Sequence, residues 1–150
     1  MAMLMDGGHI GGTPMPQLRA RLVLSNEETD AILWLTRELP RIAKWDELSK
    51  APFKRMMAGP YWAAMEMLYR ADPANARQMV AFSERVAALR EEGVAPLPMV
   101  TGETLIRLGV TPGPTFKRWL NELYDRQLEG ELQTAEEAMA AAKALIRSTI

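Results

Sequence analysis

Cysteine is absent from this sequence of 150 residues, and histidine occurs once, as His9. Without cysteine the chain has no disulfide, no thiolate nucleophile and no cysteine-ligated metal. One histidine cannot build a multi-histidine metal site, and a serine, histidine and aspartate triad would need His9 from a loose glycine-rich stretch. We therefore expect neither triad catalysis nor a metal site of these kinds. A cysteine-free chain also fits a reducing, cytoplasmic location.

An excess of positive charge is also missing, since 18 Lys and Arg residues stand against 19 Asp and Glu residues, for a net charge of -1. Binding to nucleic acid must then use a local patch, because no overall positive field attracts polyanions. Charges repeatedly cut the apolar stretches, and none reaches the length of about 18 residues that a membrane-spanning helix needs. The start MAMLMDGGHIGG is unlike a secretory signal, because it lacks a basic lead and reaches Asp6 early. We expect a soluble protein with no membrane partner.

An Asp-x-Asp motif, which would hold two magnesium ions for phosphoryl transfer, occurs nowhere in the sequence. Phosphate-loop and dinucleotide fingerprints are missing too, since Gly7-Gly8 and Gly11-Gly12 follow no predicted strand. Acidic pairs such as Glu27-Glu28 and Glu136-Glu137 fall where helices are predicted to begin, and negative charge is favourable there. We expect no catalytic residue, metal or cofactor in this chain.

Hydrophobic residues make up 48% of the chain and charged residues 25%, which is average for soluble globular proteins. From Pro16 onward the apolar residues recur at helical spacing almost everywhere, and no run alternates as a strand would. The sequence therefore predicts an all-α chain. We divide it into a flexible arm or truncated edge over 1–14, a helical body-like region over 15–95 and a helical tail-like region over 96–150. The boundary follows from the segment GVAPLP at 93–98, where two prolines stiffen the backbone.

Capping motifs, prolines and glycines predict where the helices begin and end. Ser25 and Glu28 form a capping box, in which each side chain accepts a hydrogen bond from the other residue's amide, and Thr134 opens another with Glu137. Pro40 is expected to end the helix that follows Ser25, since its ring and missing N–H oppose continuation. Between the two boxes, helices are predicted over 49–57, 60–71, about 79–93, 101–108 and 114–128.

A helical hairpin near residues 101–128 is predicted from the glycines and prolines between two of these helices. Gly109 can end the first helix in the left-handed region, and Pro112-Gly113 suits the central positions of a type II turn. Pro114 has the φ angle that the first position of the next helix requires.

The start of the second helix in this hairpin has the features of a phosphate site. The amides of Gly113, Thr115 and Phe116 lack intrahelical partners there, and a glycine lets a ligand approach the backbone closely. Lys117 and Arg118 follow within the first turn. The alternative, in which the hairpin only packs two helices together, carries equal weight on the sequence alone.

A second group of basic residues surrounds the predicted helix 49–57. Several cations near one nucleic-acid backbone would give salt-dependent affinity, and Trp45 and Phe53 are interleaved with them. The group consists of Arg41, Lys44, Lys50, Lys54 and Arg55. The alternative is a solvated helical face with two core aromatics, which the sequence favours slightly.

Four stretches of the sequence have the pattern of a known family: RLVLSNEE at 21–28, YRAD at 69–72, TGExLIxLGVxPGP at 101–114 and QLEGELxTxEEA at 127–138. In this order they resemble the C-terminal half of bacterial tRNA nucleotidyltransferases, the CCA-adding and A-adding enzymes, and of their poly(A) polymerase relatives. The resemblance covers about 18–146. The last stretch is specific, and the earlier ones support it.

The resemblance implies a multi-helical C-terminal domain of the class II nucleotidyltransferase family, which holds the acceptor arm of tRNA. In that family an N-terminal head with Gly-Ser and Asp-x-Asp motifs uses Mg²⁺ to transfer nucleotides from CTP and ATP. The head and the neck residues that select the incoming base have no counterpart here, so no catalytic position carries over. We expect the chain to be the end of a longer enzyme, either a cloned fragment or a naturally detached piece, and to be inactive alone.

The sequence thus supports two hypotheses. In the first, the chain is an RNA-binding domain that positions the tRNA acceptor arm for nucleotide addition at its 3' end. Its phosphate contacts would be Gly113, Thr115, Lys117 and Arg118, with Lys44, Lys50, Lys54 and Arg55 as a secondary patch. In the second, exposed Met and Trp side chains of a helical interaction domain dock a partner protein or the missing catalytic head. A positive groove joining the two basic clusters would favour RNA, and a large exposed apolar patch would favour protein.

Overall fold

The computed structural model describes residues 9–10 and 13–149, and it confirms the all-α class. The only non-helical pairing among the described residues is a short one, in which strand β1 (His9–Ile10) lies antiparallel to strand β2 (Thr13–Pro14). The predicted arm over 1–14 falls otherwise outside the described residues. The helices are α1 (Met15–Leu22), α2 (Asn26–Ile42), α3 (Lys50–Met57), α4 (Trp62–Ala71), the 3-10 helix Pro73–Gln78, α5 (Met79–Glu92), α6 (Gly102–Arg107), α7 (Pro114–Glu129) and α8 (Ala135–Thr149).

Both predicted capping boxes are confirmed. The Ser25 hydroxyl accepts a hydrogen bond from the Glu28 amide at 3.2 Å, and the Glu28 carboxylate accepts one from the Ser25 amide at 2.8 Å. Thr134 and Glu137 make the same reciprocal pair, each at 3.2 Å, at the start of α8. These bonds satisfy amides that a helix start otherwise leaves unpaired, so they fix where α2 and α8 begin.

Two predicted helix limits were wrong. Helix α2 does not stop at Pro40 but continues to Ile42, because the proline lies in the last turn and removes only one amide donor. The next turn still closes, with the Ala43 amide 3.1 Å from the Leu39 carbonyl oxygen. Helix α4 begins at Trp62 rather than at residue 60, after a turn in which the Trp62 amide donates to the Gly59 carbonyl.

The predicted hairpin is formed by α6 and α7, but its turn differs from the expected one. Gly109 has a φ of 86°, as predicted, and the amide of Val110 closes the end of α6 on the Leu105 carbonyl at 3.0 Å. The type II turn was wrong, because Gly113 has a φ of 177° and is extended. Gly109 already reverses the chain, so Gly113 is left to serve as the residue that precedes α7.

Cα positions divide the chain into two compact units. The first contains the described part of Met1–Glu47 together with Gly59–Phe82, and the second contains Leu48–Ala58 and Ser83–Ile150, of which residue 150 is not described. This division differs from the predicted boundary at 93–98. The reason is that α7 holds that segment within the second unit, where the Tyr124 hydroxyl donates to the Pro96 carbonyl at 2.9 Å.

The core of the first unit is aromatic. Phe82 is fully buried, and its ring centroid lies 4.4 Å from that of Tyr69 and 5.6 Å from that of Trp45. The Trp45 indole N–H donates to the Tyr69 hydroxyl at 2.8 Å, so the polar ends of two buried rings satisfy each other. The guanidinium of Arg70 covers the Phe82 ring at 5.4 Å.

The core of the second unit lies among α6, α7 and α8. Leu105, Trp119 and Leu123 pack against small residues of α8, such as Ala138 and Ala142, all of them buried. Alanines on that face let α8 approach α7 closely. No helix in 13–149 has the length and apolarity that a membrane crossing requires.

Candidate nucleic-acid interface

Helix α7 begins without a side-chain cap. Gly113 precedes its first residue, Pro114, and no side chain accepts a hydrogen bond at this helix start. The first intrahelical bond runs from the Lys117 amide to the Gly113 carbonyl at 3.4 Å. The amides of Thr115 and Phe116 therefore have no partner within 13–149, and Pro114 has no N–H. These are two of the three free amides that the sequence predicted.

Lys117 and Arg118 lie in the first turn of α7, both with exposed side chains. They line a shallow, open groove along one face of the helix. Its lining residues recur every three or four positions, as one helical face requires: Pro114, Lys117, Arg118, Asn121, Glu122, Asp125, Arg126 and Glu129. Neither Lys117 nor Arg118 forms an ion pair with any described residue, so both positive charges are available to a ligand.

The groove changes in charge along the helix. Past Arg118, Glu122 is exposed and has no ion-pair partner among the described residues, whereas Asp125 is paired with Arg55. Glu129, at the end of α7, is bonded to the start of α3. The positive end of the groove therefore coincides with the N-terminus of α7, where the helix dipole also favours an anion.

Three members of the second basic group lie together on α3 and face carboxylates of the same unit. Glu92 lies 2.9 Å from the Lys50 ammonium and 3.1 Å from that of Lys54. The side chain of Lys54 is only 5% exposed. Hydrogen bonds from Lys50 and Lys54 hold the pKa of Glu92 below its usual value. These two lysines therefore already have an anionic partner in the folded chain.

Arg55, the third cation of α3, faces α7. Its Nε is 2.5 Å from a carboxylate oxygen of Asp125, and its guanidinium lies 5.1 Å from the centre of the Tyr124 ring. Lys44 belongs to the first unit, where it lies in the turn after α2 and is exposed. The predicted secondary patch is thus one exposed lysine and three cations that carboxylates neutralise.

The acidic partners of this patch are not recognisable in the sequence. Glu92 is 42 residues from Lys50, and Asp125 is 70 residues from Arg55. No local sequence pattern links residues so far apart. Glu92 lies at the end of α5 and Asp125 lies on α7, and neither helix is adjacent in sequence to α3. Among 13–149 no three His, Asp or Glu side chains are grouped so that they could hold a metal ion.

The side chains expected to dock a partner protein are mostly internal. Trp45, Trp62 and Trp119 are buried, as are Met56 and Met65. Exposed apolar residues do occur on α4, where Met67 is 66% and Leu68 is 47% exposed. The second hypothesis therefore keeps a small apolar surface in the first unit, whereas three of the four Trp residues are buried and Trp34 is half-buried.

A comparison with known proteins finds one relevant similarity. The chain is 40% identical over 63 residues to the A-adding tRNA nucleotidyltransferase of Deinococcus radiodurans. The match covers 41% of this chain and 14% of that enzyme. No protein-family profile matches the chain, and no solved structure does. The similarity, over a segment of about one seventh of that enzyme's length, supports a relation to the tRNA nucleotidyltransferase family.

Proposed function

We propose that this chain is a tRNA-binding helical domain related to the tRNA nucleotidyltransferases, which positions the acceptor arm for 3'-end nucleotide addition. The observation that carries the proposal is the start of α7, where free amides and the unpaired cations Lys117 and Arg118 occur together in one open groove. The similarity to an A-adding enzyme supports RNA rather than another polyanion as the ligand.

Phosphate is the part of RNA that this site suits. The Thr115 and Phe116 amides point along the helix axis as donors, and Gly113 has open space where a side chain would be. Lys117 and Arg118 add two positive charges within one turn. Contacts of this kind set the position and affinity of a nucleic acid but do not distinguish its bases.

The secondary patch has a smaller role in this proposal. Lys44 is exposed and can contact a phosphate directly, whereas Lys50 and Lys54 share the carboxylate of Glu92. Cations that are already neutralised release few counterions on binding, so each contributes little to salt-dependent affinity. We expect removal of Lys50 or Lys54 to alter the stability of α3 more than RNA binding.

Catalysis is assigned to a separate part of the enzyme in this proposal. A head with Gly-Ser and Asp-x-Asp motifs would bind Mg²⁺ and ATP or CTP, and would catalyse the nucleotide transfer. The helical domain would supply the position of the tRNA end. Addition of CCA, of A alone or of a longer tail would then be decided by the head.

The test is RNA binding by matched charge variants. Fluorescence anisotropy with a labelled acceptor-arm minihelix would compare the wild type with Lys117→Ala/Arg118→Ala. The matched control is Lys143→Ala/Arg147→Ala, which removes two exposed cations from α8. We expect the α7 variant to bind more weakly and with a salt slope lower by about one per lost phosphate contact. The control should resemble the wild type.

Equal affinities and slopes for all three proteins would contradict the proposal. In that case the exposed Met67 and Leu68 would favour the docking of a protein in place of RNA.

A further inference from the structure

Asp125, one of the residues that line the α7 groove, forms an ion pair with Arg55 of α3. Asp125 lines the groove together with Lys117 and Arg118, and its carboxylate is 2.5 Å from Arg55 Nε. The Arg55 side chain is 39% exposed and that of Asp125 is 47% exposed. Because Arg55 is partly exposed beside Asp125, a ligand that contacts Asp125 from the groove has access to the guanidinium as well.

The guanidinium of Arg55 is held in place by more than its ion pair. Its second nitrogen donates to the Asn121 carbonyl at 3.4 Å, and the Tyr124 ring lies beside it. A planar guanidinium held in this way keeps its orientation when one acceptor leaves. Loss of the Asp125 carboxylate would thus leave a positioned cation rather than a mobile one.

The distance from Lys117 to Asp125, the residue that carries Arg55 as its partner, is compatible with contacts to one RNA strand. Lys117 and Asp125 are eight positions apart on α7, which is about 12 Å along the helix axis at ~1.5 Å per residue. The phosphates of one nucleic-acid strand recur at intervals shorter than this distance, since they are about 3.4 Å apart even along the axis of a duplex and one or two lie within about 12 Å of strand. A strand that contacts Lys117 and follows the groove therefore presents another phosphate beside Asp125.

We propose that Asp125 masks Arg55, and that RNA removes the mask. In the free protein the carboxylate neutralises the guanidinium. In the complex a phosphate replaces the carboxylate, so that Arg55 becomes a second contact beyond Lys117 and Arg118. Exchange is feasible because an exposed ion pair contributes only about 0–1 kcal/mol. The inference rests on the proposed function, and it makes the Arg55 and Asp125 pair a regulator of that same groove.

If Asp125 masks Arg55, removal of the Asp125 carboxylate should strengthen RNA binding. Asp125→Asn should raise the affinity for the acceptor-arm minihelix several-fold. Its salt slope should steepen by about 0.7–0.9, which is the contribution of one phosphate contact. Between about 50 and 200 mM salt its affinity should thus fall roughly threefold more than that of the wild type.

Glu122→Gln is the matched control. It removes one negative charge from the same face, closer to Lys117 and Arg118, but frees no cation. If the gain came only from weaker repulsion between carboxylates and RNA, Glu122→Gln would bind at least as strongly as Asp125→Asn. Both variants would then keep the salt slope of the wild type. A third protein, Arg55→Ala/Asp125→Asn, should lose the gain and return to the wild-type slope. Circular dichroism and urea midpoints verify that all variants are folded.

Equal effects of Asp125→Asn and Glu122→Gln would overturn the mask, as would a gain that survives the removal of Arg55. Neither result affects the proposed function, whose own test is the loss of binding in Lys117→Ala/Arg118→Ala. Failure of the wild type to bind RNA would instead overturn both.

Discussion

The carboxylate of Glu129 caps helix α3 by accepting a hydrogen bond from the Ala51 amide at 2.9 Å. It also accepts one from the Lys50 amide at 3.2 Å. Ser49 precedes the helix but makes no side-chain cap of its own. Glu129, at the end of α7, therefore takes the capping role that a serine at the helix start usually has. Its hydrogen bonds also connect the segment Leu48–Ala58 to α7 within the second unit.

Replacement of Glu129 should weaken this connection. We expect Glu129→Ala to reduce the free energy of unfolding by about 1–2 kcal/mol, because two amides at the start of α3 lose their acceptor. Urea denaturation followed by circular dichroism measures the change. Glu131→Ala, which removes an exposed partner of Arg126 near the same helix end, should cost under about 1 kcal/mol. Equal losses would contradict the capping role.

Acid should destabilise the second unit through Glu92 and Glu129. Hydrogen bonds from Lys50 and Lys54 lower the pKa of Glu92. Burial raises the pKa of Glu129, but hydrogen bonds from the Ala51 amide, the Ser49 side chain and the Lys50 amide outweigh it and lower the pKa overall.

A lowered folded pKa means that the contribution to stability is complete above the unfolded value of about 4.3 and is lost as the pH falls through the folded value. Urea midpoints measured from neutral pH downwards should decline less steeply in Glu92→Gln/Glu129→Gln than in the wild type. An identical pH dependence in both proteins would show that these carboxylates do not carry the effect.

Gly113 and Gly109 should respond differently to a side chain. Gly113 is extended with open space around it, so Gly113→Val should leave the urea midpoint unchanged while a bulky side chain weakens RNA binding. Gly109 has a φ of 86°, and Gly109→Ala should cost about 1–2 kcal/mol of stability. Unchanged RNA affinity in a folded Gly113→Val protein would show that the backbone amides at the start of α7 do not contact RNA.

Phe82 should be the most sensitive position of the aromatic core. It is fully buried against Trp45 and Tyr69, so Phe82→Ala should reduce stability by about 3–5 kcal/mol. Val80 lies two positions earlier on the same helix and is 71% exposed, so Val80→Ala should have almost no effect. Thermal and urea unfolding of the two variants check the contrast.

The chain alone should not add nucleotides to tRNA. Its sequence has no Asp-x-Asp pair to hold the metal ions of phosphoryl transfer. Incubation with tRNA, labelled ATP or CTP and magnesium should give no incorporation above a control without protein. Incorporation that depends on the chain would contradict this prediction and the division of roles proposed above.

Much of the fold followed from local sequence signals. Ser25 and Thr134 marked helix starts through bonds to residues three positions away, and Gly109 marked a helix end through its own backbone conformation. The prediction that α2 ends at Pro40 was wrong, because a proline in the last turn of a helix removes only one amide donor. Ile42, two residues later, is buried and still helical. The predicted left-handed conformation of Gly113 was also wrong, because Gly109 is the residue that adopts it in this turn.

The sequence by itself determined the all-α class, the hairpin of α6 and α7, and the position of Lys117 and Arg118 near the start of α7, because each depends on neighbours within about one helical turn. Only the tertiary structure decided which charges are available to a ligand. Lys50 and Arg55 have the same residue types as Lys117 and Arg118, but Glu92 and Asp125 reach them across 42 and 70 residues. Charge pairing depends on distance in space, which a local pattern does not contain.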